Sequence, residues 1–218
     1  MKELLVKKVN LDSTNLNYPS LANELAELEW NAIDQSPWKQ EFPVNPEAKF
    51  QIAYDSQSII LHYEITEEFV KAQYIRPNEN IWEDSCVEFF ISFDQGKTYY
   101  NAEFNVLGTG LIGYGSSDKE NRNRLTAEDI LKVNTFTQVK NINGIKTWNI
   151  ILTYPFSLFA MTSEQLSGSS ATANFYKCGD SLPNPHFVAW NNIDFPKPNF
   201  HLPEFFGKIN FELKISAS

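Results

Sequence analysis

The stretch IWEDSCVEFFISF, from Ile81 to Phe93, is the part of the sequence that indicates the fold class most clearly. Successive side chains of a strand point to opposite faces, so alternate residues share a face. One face of this segment carries Val87, Phe89, Ile91 and Phe93. The other face carries Cys86, Glu88, Phe90 and Ser92. The alternation predicts a β-strand that buries the first set in a hydrophobic core.

Further runs of period two occur along the chain, separated by turn-forming residues such as Asn143-Gly144. The clearest are Ser58–Ile65, Tyr99–Val106, Thr147–Tyr154 and Lys208–Ile215. Short alternating strands of this kind are typical of antiparallel sheets with one face buried. We therefore predict an all-β fold, a single β-sandwich of two antiparallel sheets with jelly-roll or immunoglobulin-like architecture.

One helix is predicted near the N-terminus. Leu21, Leu25 and Leu28 recur at helical spacing, and Ser20 is a suitable N-cap. Beyond it, the charged segment Asp118–Arg124 and a Ser-rich segment that follows later are too short to link domains. No internal repeat is present. The sequence therefore predicts one domain spanning residues 1–218.

Composition excludes several classes of partner. The chain of 218 residues has a formal net charge of −9, which disfavours nucleic acid because phosphate neutralisation supplies most of that affinity. No window approaches the ~18 consecutive apolar residues of a membrane span. The first apolar run, Leu4–Val6, is too short for a secretory signal. We expect a cytoplasmic protein as written, or a secreted or periplasmic one if a leader has been removed.

Potential metal ligands and thiols show no recognisable spacing. Cys86 and Cys178 have no CxxC pattern, so two buried thiols are the favoured interpretation and a single disulfide the alternative. His62, His186 and His201 lie far apart in sequence and form no metal-ligand motif. The sequence thus leaves any metal ligand unassigned and predicts no cofactor with certainty.

Trp82 and Glu88 form the most informative chemical pair. A flat indole can stack on the C–H face of a pyranose, and a neighbouring carboxylate can accept hydrogen bonds from its hydroxyls. Aromatic residues make up 14% of the chain, which is rich enough to supply such a surface as well as a core. The alternative is structural, with Trp82 in the core and Glu88 on a solvated face. Spacing alone does not decide between the two.

The motif around these residues resembles a known family. Residues 82–90, WEDSCVEFF, are similar to the W-x-D-x-C-V-E-x-F signature of family 9-like carbohydrate-binding modules, which belong to the DOMON-like superfamily of β-sandwiches. Other matching segments follow in the family's order, namely Lys71–Tyr74, Tyr99–Asn105, Trp148-Asn149, Tyr154–Phe156, Asn174–Lys177, Trp190 and Phe200–Gly207. The resemblance implies a β-sandwich that clamps a terminal sugar between two aromatic side chains.

By position, the resemblance implies a ligand-binding role for Trp82, Glu88, Trp190, His201, Lys177 and Arg76. Trp82 would be the first stacking plate and Glu88 the hydroxyl acceptor. Trp190 would be the second plate, although the segment around His201 also falls near that position. The two basic side chains would donate to sugar oxygens. The family also contains structural Ca²⁺, which makes such an ion an expectation without an assigned site.

Three functions remain open at this stage. The leading hypothesis is non-catalytic carbohydrate binding, with a glycan as ligand and a glycan-degrading enzyme system as a further partner. The alternative is a glycoside hydrolase or related sugar-active enzyme that uses Glu88 and Glu103 as its carboxylate pair. The third is a structural or interaction domain whose sugar site has decayed.

Overall fold

The computed structural model of the chain describes residues 1–11 and 16–213. Within them it contains 13 strands and three short helices. The strands are β1 Glu3–Lys8, β2 Asn31–Ala32, β3 Glu47–Tyr54, β4 Ser58–Glu67, β5 Cys86–Ser92, β6 Tyr99–Asn105, β7 Gly110–Gly115, β8 Asn123–Arg124, β9 Asn134–Ile142, β10 Ile145–Pro155, β11 Ser170–Cys178, β12 Phe187–Ala189 and β13 Gly207–Phe211. The helices are α1 Tyr18–Glu24, α2 Ala127–Ile130 and α3 Ser163–Leu166. None of these helices is long and apolar enough to cross a membrane.

The strands form two facing sheets. The front sheet has the order β8-β7-β6-β5-β11-β13-β1, with β12 also paired to β11. The back sheet has the order β1-β3-β4-β10-β9, with β2 paired to β3. Strand β1 belongs to both, since Glu3–Val6 pairs with β13 and Lys7-Lys8 pairs with β3. The predicted all-β sandwich is confirmed, and its pairings are antiparallel except for these two parallel ones of β1.

The core between the sheets is aromatic and matches the alternation of β5. Val87, Phe89 and Ile91 are buried there, whereas Phe93, just beyond the strand, is only partly buried. Phe175 of β11 stacks on Phe50 of the back sheet with ring centroids 3.8 Å apart. Burying each such side chain contributes about 1.5–3 kcal/mol. The sandwich is therefore held together by ring packing across the two sheets.

The outer face of the back sheet is covered by the N-terminal helix. Leu21 and Leu25 pack there with Ile60 and Ile151. The helix begins earlier than predicted, because Asn17 and not Ser20 is the N-cap, its side chain accepting a hydrogen bond from the backbone N–H of Ser20. Its first turn also contains a proline, whose fixed φ suits that position.

The outer face of the front sheet is covered too. Cys86 and Phe90 lie in a second apolar cluster with Trp38, Phe200 and Phe206, which come from segments far away in sequence. The expectation of sheets with one face buried is therefore wrong for β5, whose seven residues are all buried. The reason is that loops fold over this strand. At the C-terminus the last strand ends at Phe211, and residues 214–215 of the predicted run lie outside the described residues.

Candidate functional site

A cavity of about 520 Å³ lies on the outer face of the front sheet. Its floor consists of side chains from β5, β6 and β7, and its walls come from residue 82, β8, the turn after β11 and the loop 198–201. Four residues singled out from the sequence line it, namely Trp82, Glu88, Glu103 and His201. The other lining residues are Asn101, Leu111, Gly113, Arg122, Asn123, Arg124, Asp180, Phe187, Pro198, Asn199 and Phe200.

The WEDSCVE motif builds one wall of this cavity through a buried aspartate. The carboxylate of Asp84 accepts hydrogen bonds from the backbone N–H groups of residues 73–74 and from the side chain of Asn105. These bonds anchor the segment that precedes β5. The carbonyl of Trp82 in turn accepts a hydrogen bond of 3.1 Å from the N–H of Asp180. These hydrogen bonds hold the backbone that carries the Trp82 indole. Asp84 therefore positions this segment and does not itself bind a ligand.

Trp82 is partly exposed and is the one tryptophan that lines the cavity, all five being within the described residues. Part of its ring packs against the apolar cluster of the front sheet. The guanidinium carbon of Arg124 lies 5.9 Å from the ring centroid. At that distance the cation is attracted by the face of the indole. An aromatic surface and an exposed hydrogen-bond donor therefore stand side by side at the cavity wall.

Two carboxylic acids form the centre of the floor. Glu88 and Glu103 are directly opposite each other on β5 and β6, and they are only 4% and 5% exposed. Oε1 of Glu88 accepts a hydrogen bond of 3.0 Å from the thiol of Cys178. Oε1 of Glu103 accepts one of 2.9 Å from the side-chain amide of Asn101. Oε2 of Glu103 is buried and has no hydrogen-bond partner among the described residues.

Burial and mutual repulsion change the acidity of this pair. Burial, assisted by the charge of Glu103, raises the pKa of Glu88 well above 4.5. Burial raises the pKa of Glu103 to about 7. Two ionised carboxylates side by side in a low-dielectric floor would repel each other, so the pair retains a proton near neutral pH. A carboxyl that keeps its proton can donate a hydrogen bond as well as accept one.

Arg122 fixes the position of side chains in the cavity floor, and its guanidinium is engaged in the hydrogen bonds that do so. Its guanidinium donates to the carbonyls of Gly115 and Ser116 at 2.9 and 2.7 Å and to Oδ1 of Asn101 at 2.5 Å. It also lies 3.9 Å above the ring centroid of Tyr99. With its oxygen engaged in this way, the Asn101 amide is oriented to donate to the neighbouring glutamate. Arg122 therefore acts as a positioning residue of the floor.

Another part of the wall carries further rings. Phe200 stacks on Tyr176 with centroids 4.1 Å apart and planes 7° apart. Nδ1 of His201 lies 2.9 Å from the hydroxyl of Tyr99. Both Phe200 and His201 line the cavity, as does Phe187 of β12. Aromatic groups thus stand on this side as well as at Trp82.

Trp190, predicted as the second plate, does not line the cavity. It is 3% exposed and packs edge-on against Phe50 and Phe175 in the core between the sheets. Because its faces are covered by other side chains, it offers no surface to a ligand. The segment around His201, the other position that the resemblance indicated, does reach the cavity.

The two predicted basic donors also lie elsewhere. Lys177 is fully buried on the inner face of β11, where its Nζ is 2.9 Å from Oε2 of Glu67 and 2.8 Å from Nε2 of His186. It faces inward because it stands opposite Val87, a core residue of β5. Arg76 is exposed and is not among the residues that line the cavity. Of the six predicted ligand-binding residues, three therefore line it: Trp82, Glu88 and His201.

Several lining residues were not assigned to ligand binding from the sequence, above all Asn101, Arg124 and Asp180. Asn101 alternates with apolar residues in β6, which indicates a position on the face away from the core, but only the pairing with β5 places it near Glu88. It also needs Gly113 on the next strand, where an added Cβ would lie 2.5 Å from its Oδ1. No sequence signal distinguishes Arg124 from the other charges of its loop.

Comparison with known proteins gives a consistent result. A model of carbohydrate-binding family 9 matches residues 18–211. The crystal structure of a Bacteroides uniformis protein to which carbohydrate binding is ascribed is 35% identical to the chain, with a TM-score of 0.87, and the match covers 97% of this chain and 99% of that one. A search of curated protein sequences found no significant match.

Two structures of a family 9 carbohydrate-binding module from Caldicellulosiruptor kristjanssonii show the same fold. One, in complex with cellotriose, is 13% identical with a TM-score of 0.64 over 98% of this chain and 95% of that one. The other, in complex with glucose, is 13% identical with a TM-score of 0.65 over 100% and 99%. At this identity the likeness concerns the fold.

Proposed function

The chain belongs to carbohydrate-binding family 9, and on that premise we propose that it binds a carbohydrate, without transforming it, in the cavity of the front sheet. The observation that carries the proposal is the meeting of Trp82 with Glu88 and Glu103 in one cavity of about 520 Å³. Its volume is within the range of small-ligand pockets, so we propose that it takes the end of a glycan and not a long internal stretch.

The surface of a sugar fits these groups. A pyranose has an apolar C–H face that can cover the exposed part of the indole, and such stacking is worth about 0.5–1.5 kcal/mol beyond the buried area. Its hydroxyls both donate and accept hydrogen bonds. The carboxyl groups of Glu88 and Glu103, which line the cavity, can accept from them. Arg124 and the proton held by the carboxyl pair supply donors. A neutral polyol would therefore meet acceptors and donors on one floor.

The same floor supports binding without hydrolysis. A retaining glycosidase needs one ionised carboxylate as nucleophile and one protonated carboxyl as acid. Here burial raises the pKa of both Glu88 and Glu103, and the donor to Glu88 is a neutral thiol and not a cation. Neither group is held ionised in the way that a nucleophile requires. We propose accordingly that a glycan-degrading enzyme system, and not this chain, carries out any cleavage.

Calorimetric titration with glucose and cellotriose tests the proposal, since both sugars occur in structures of a module of the same fold. A glycan array extends the test to other sugars. We expect Trp82→Ala to weaken binding of the preferred sugar at least tenfold, or about 1.4 kcal/mol. The matched control is Trp30→Ala, another partly exposed tryptophan, which lies near His62 on the outside of the back sheet. The control should bind as the wild type does.

Two outcomes would contradict the proposal. One is the absence of binding to any glycan by folded wild-type protein. The other is release of reducing sugar by the wild type that Glu88→Gln abolishes, which would establish the hydrolase alternative. Thermal unfolding of each variant confirms that a lost affinity does not come from a lost fold.

A further inference from the structure

Two cysteines face each other beneath the floor of the cavity. Cys86 of β5 and Cys178 of β11 are directly opposite in the antiparallel pairing, and both are buried free thiols. Glu88 lies two positions further along β5, so it shares the outer face of the sheet with Cys86. Three side chains with metal-ligating atoms therefore point the same way at adjacent positions.

The ligating atoms of these three side chains converge. The two sulfurs and a carboxylate oxygen of Glu88 all lie within 4.8 Å of one another. The thiol of Cys178 already donates to Oε1 of Glu88 at 3.0 Å. Among the described residues, no other group of three or more His, Cys, Asp or Glu side chains comes together as closely. The cluster is separate from the surface acidic residues of the chain.

The donor set fits a thiophilic cation. Zn²⁺ binds thiolate sulfur at about 2.3 Å and carboxylate oxygen at about 2.0–2.2 Å, so ligand atoms around one tetrahedral ion stand about 3.3–3.8 Å apart. To bind one ion, the three atoms would move from their present spacing, within 4.8 Å of one another, to that one. Ca²⁺ prefers six to eight oxygen ligands and suits a pair of thiols poorly. The Ca²⁺ that the family resemblance allows therefore finds no support at this cluster.

We propose that Cys86, Cys178 and Glu88 form a binding site for a thiophilic divalent cation of the Zn²⁺ and Cd²⁺ class. Binding replaces the two thiol protons and any proton on the Glu88 carboxyl, and all of them are released to solvent. Glu88 lines the cavity, so the cavity gives the ion a path of entry and a fourth coordination position that faces it. Three protein ligands with one open position are the arrangement that zinc adopts where it contacts a ligand.

A disulfide is the competing use of two opposed cysteines. A bond between the sulfurs would remove the thiol proton that Cys178 donates, and Glu88 would lose that hydrogen bond. The observed contact joins the carboxylate to the sulfurs as a third partner, which a metal needs and a disulfide does not. The metal site predicts that the reduced protein binds the cation, whereas cysteines that serve only to form a disulfide predict no such binding.

Titration of the reduced protein of residues 1–218 with Cd²⁺, under anaerobic conditions, tests the proposal without any sugar. We expect one ion per chain by equilibrium dialysis and an ultraviolet absorption band from sulfur-to-cadmium charge transfer. Loss of groups that merely orient a ligand costs metal sites about 10–100-fold in affinity. Removing a ligand in Cys178→Ser should therefore cost at least about 100-fold, and Glu88→Gln at least about tenfold. Because no sugar is present, failure here leaves the proposed carbohydrate binding untouched.

The matched control is Glu83→Gln, which changes a nearby carboxylate that is hydrogen-bonded to Tyr74 and lies outside the cluster. It should bind Cd²⁺ as the wild type does. Circular dichroism establishes that each variant is folded, and Glu88→Gln keeps the test informative if the cysteine variant does not fold. Absence of the charge-transfer band in reduced wild type would overturn the proposal. So would wild-type affinity in folded Cys178→Ser.

Discussion

The outer faces of the two sheets both carry buried polar side chains, but the two sets differ in how completely the chain satisfies their hydrogen bonds. Each face has buried polar side chains on central strands, covered by segments from elsewhere in the chain. On the back sheet they surround His62 of β4, beneath helix α1. On the front sheet they are Glu88 and Glu103, beneath the cavity. Both sets are less than a tenth exposed.

The cluster on the back sheet is closed and satisfied. Nδ1 of His62 lies 3.2 Å from Oε1 of Gln51, and its Nε2 lies 3.1 Å from Oδ1 of Asn149. The amide of Gln51 donates to the carbonyls of Leu25 and Leu28 at 3.0 and 2.8 Å, which ties the end of the helical segment to the sheet. Polar groups that find partners within the chain contribute to stability and leave nothing for a ligand.

The cluster on the front sheet is open and incomplete. Glu103 has a buried carboxylate oxygen with no partner among the described residues, and Glu88 accepts from a weak thiol donor. Leaving such a group unsatisfied costs about 1–3 kcal/mol. The two buried polar clusters therefore differ: the one on the back sheet is satisfied within the chain, and the one at the cavity, which we propose as the binding site, is not.

The largest effect on stability is expected from breaking the satisfied cluster. His62→Leu removes the imidazole contacts of Gln51 and Asn149, and because a neutral ring has one N–H, one buried side-chain oxygen loses its donor at a cost of about 1–3 kcal/mol. We expect the free energy of unfolding, measured in urea, to fall by about 1–3 kcal/mol. Affinity for the preferred sugar should stay unchanged, because His62 is outside the cavity lining. A loss below about 0.5 kcal/mol would show that the cluster is not a source of stability.

Glu103→Gln is expected to lower sugar affinity and to leave stability nearly unchanged, the reverse of His62→Leu. Neutralising a buried carboxyl with an unpaired oxygen removes a cost of folding, so the free energy of unfolding should change by less than about 1 kcal/mol. Sugar affinity should fall about tenfold, since the amide nitrogen of glutamine cannot accept a hydrogen bond where a carboxyl oxygen can. Urea unfolding and calorimetric titration on the same sample measure both quantities. If this variant lost as much stability as His62→Leu, the two faces would not differ in the way described.

The smallest expected effect is a difference in pH dependence between the two faces. Burial lowers the pKa of His62 from 6.5 to about 4, so the unfolded chain binds more protons in that interval. The contribution of His62 to the free energy of unfolding is therefore complete above pH 6.5 and is lost as the pH falls toward 4. Burial raises the pKa of Glu103 from 4.5 to about 7. The contribution of Glu103 to the free energy of unfolding is complete below pH 4.5 and is lost as the pH rises through 7.

Unfolding free energies at several pH values separate these slopes. Relative to His62→Gln, the wild type should become less stable as the solution is acidified from about pH 7 to about pH 5. Relative to Glu103→Gln, it should become more stable over the same range. Slopes of the same sign for both variants would contradict the assignment of the two clusters.

Much of the fold follows from local pattern. The period of two in β5 correctly separates the core residues Val87, Phe89 and Ile91 from the residues on the other face. Trp82 and Glu88 were also identified from a short motif, and both line the cavity. These features depend on residues close together in the chain. Alternation along one strand is enough to establish the division of β5, because the geometry of a strand dictates which side chains share a face. The assignment of Trp82 and Glu88 needed the family motif as well.

The surroundings of Lys177 and Trp190 could not be predicted from the local sequence pattern. Each is a residue type that suits a sugar site, but Lys177 pairs with Glu67 of the back sheet, 2.9 Å away, and Trp190 packs in the core. Glu67 is 110 positions earlier in the sequence, and no local signal connects it with the lysine. The burial of the ion pair depends on the facing of the two sheets.

The cavity itself also depends on contacts between distant segments. The loop around His201 lies across β5 and β6, where Nδ1 of the imidazole is 2.9 Å from the hydroxyl of Tyr99. Arg122, which precedes β8, donates a hydrogen bond to Asn101 on β6, and Asn101 in turn donates one to Glu103. Hydrophobic periodicity reports which way a side chain points. It carries no information on which remote segment will cover that face, because strand register and loop packing are determined by the free energy of the whole assembled chain.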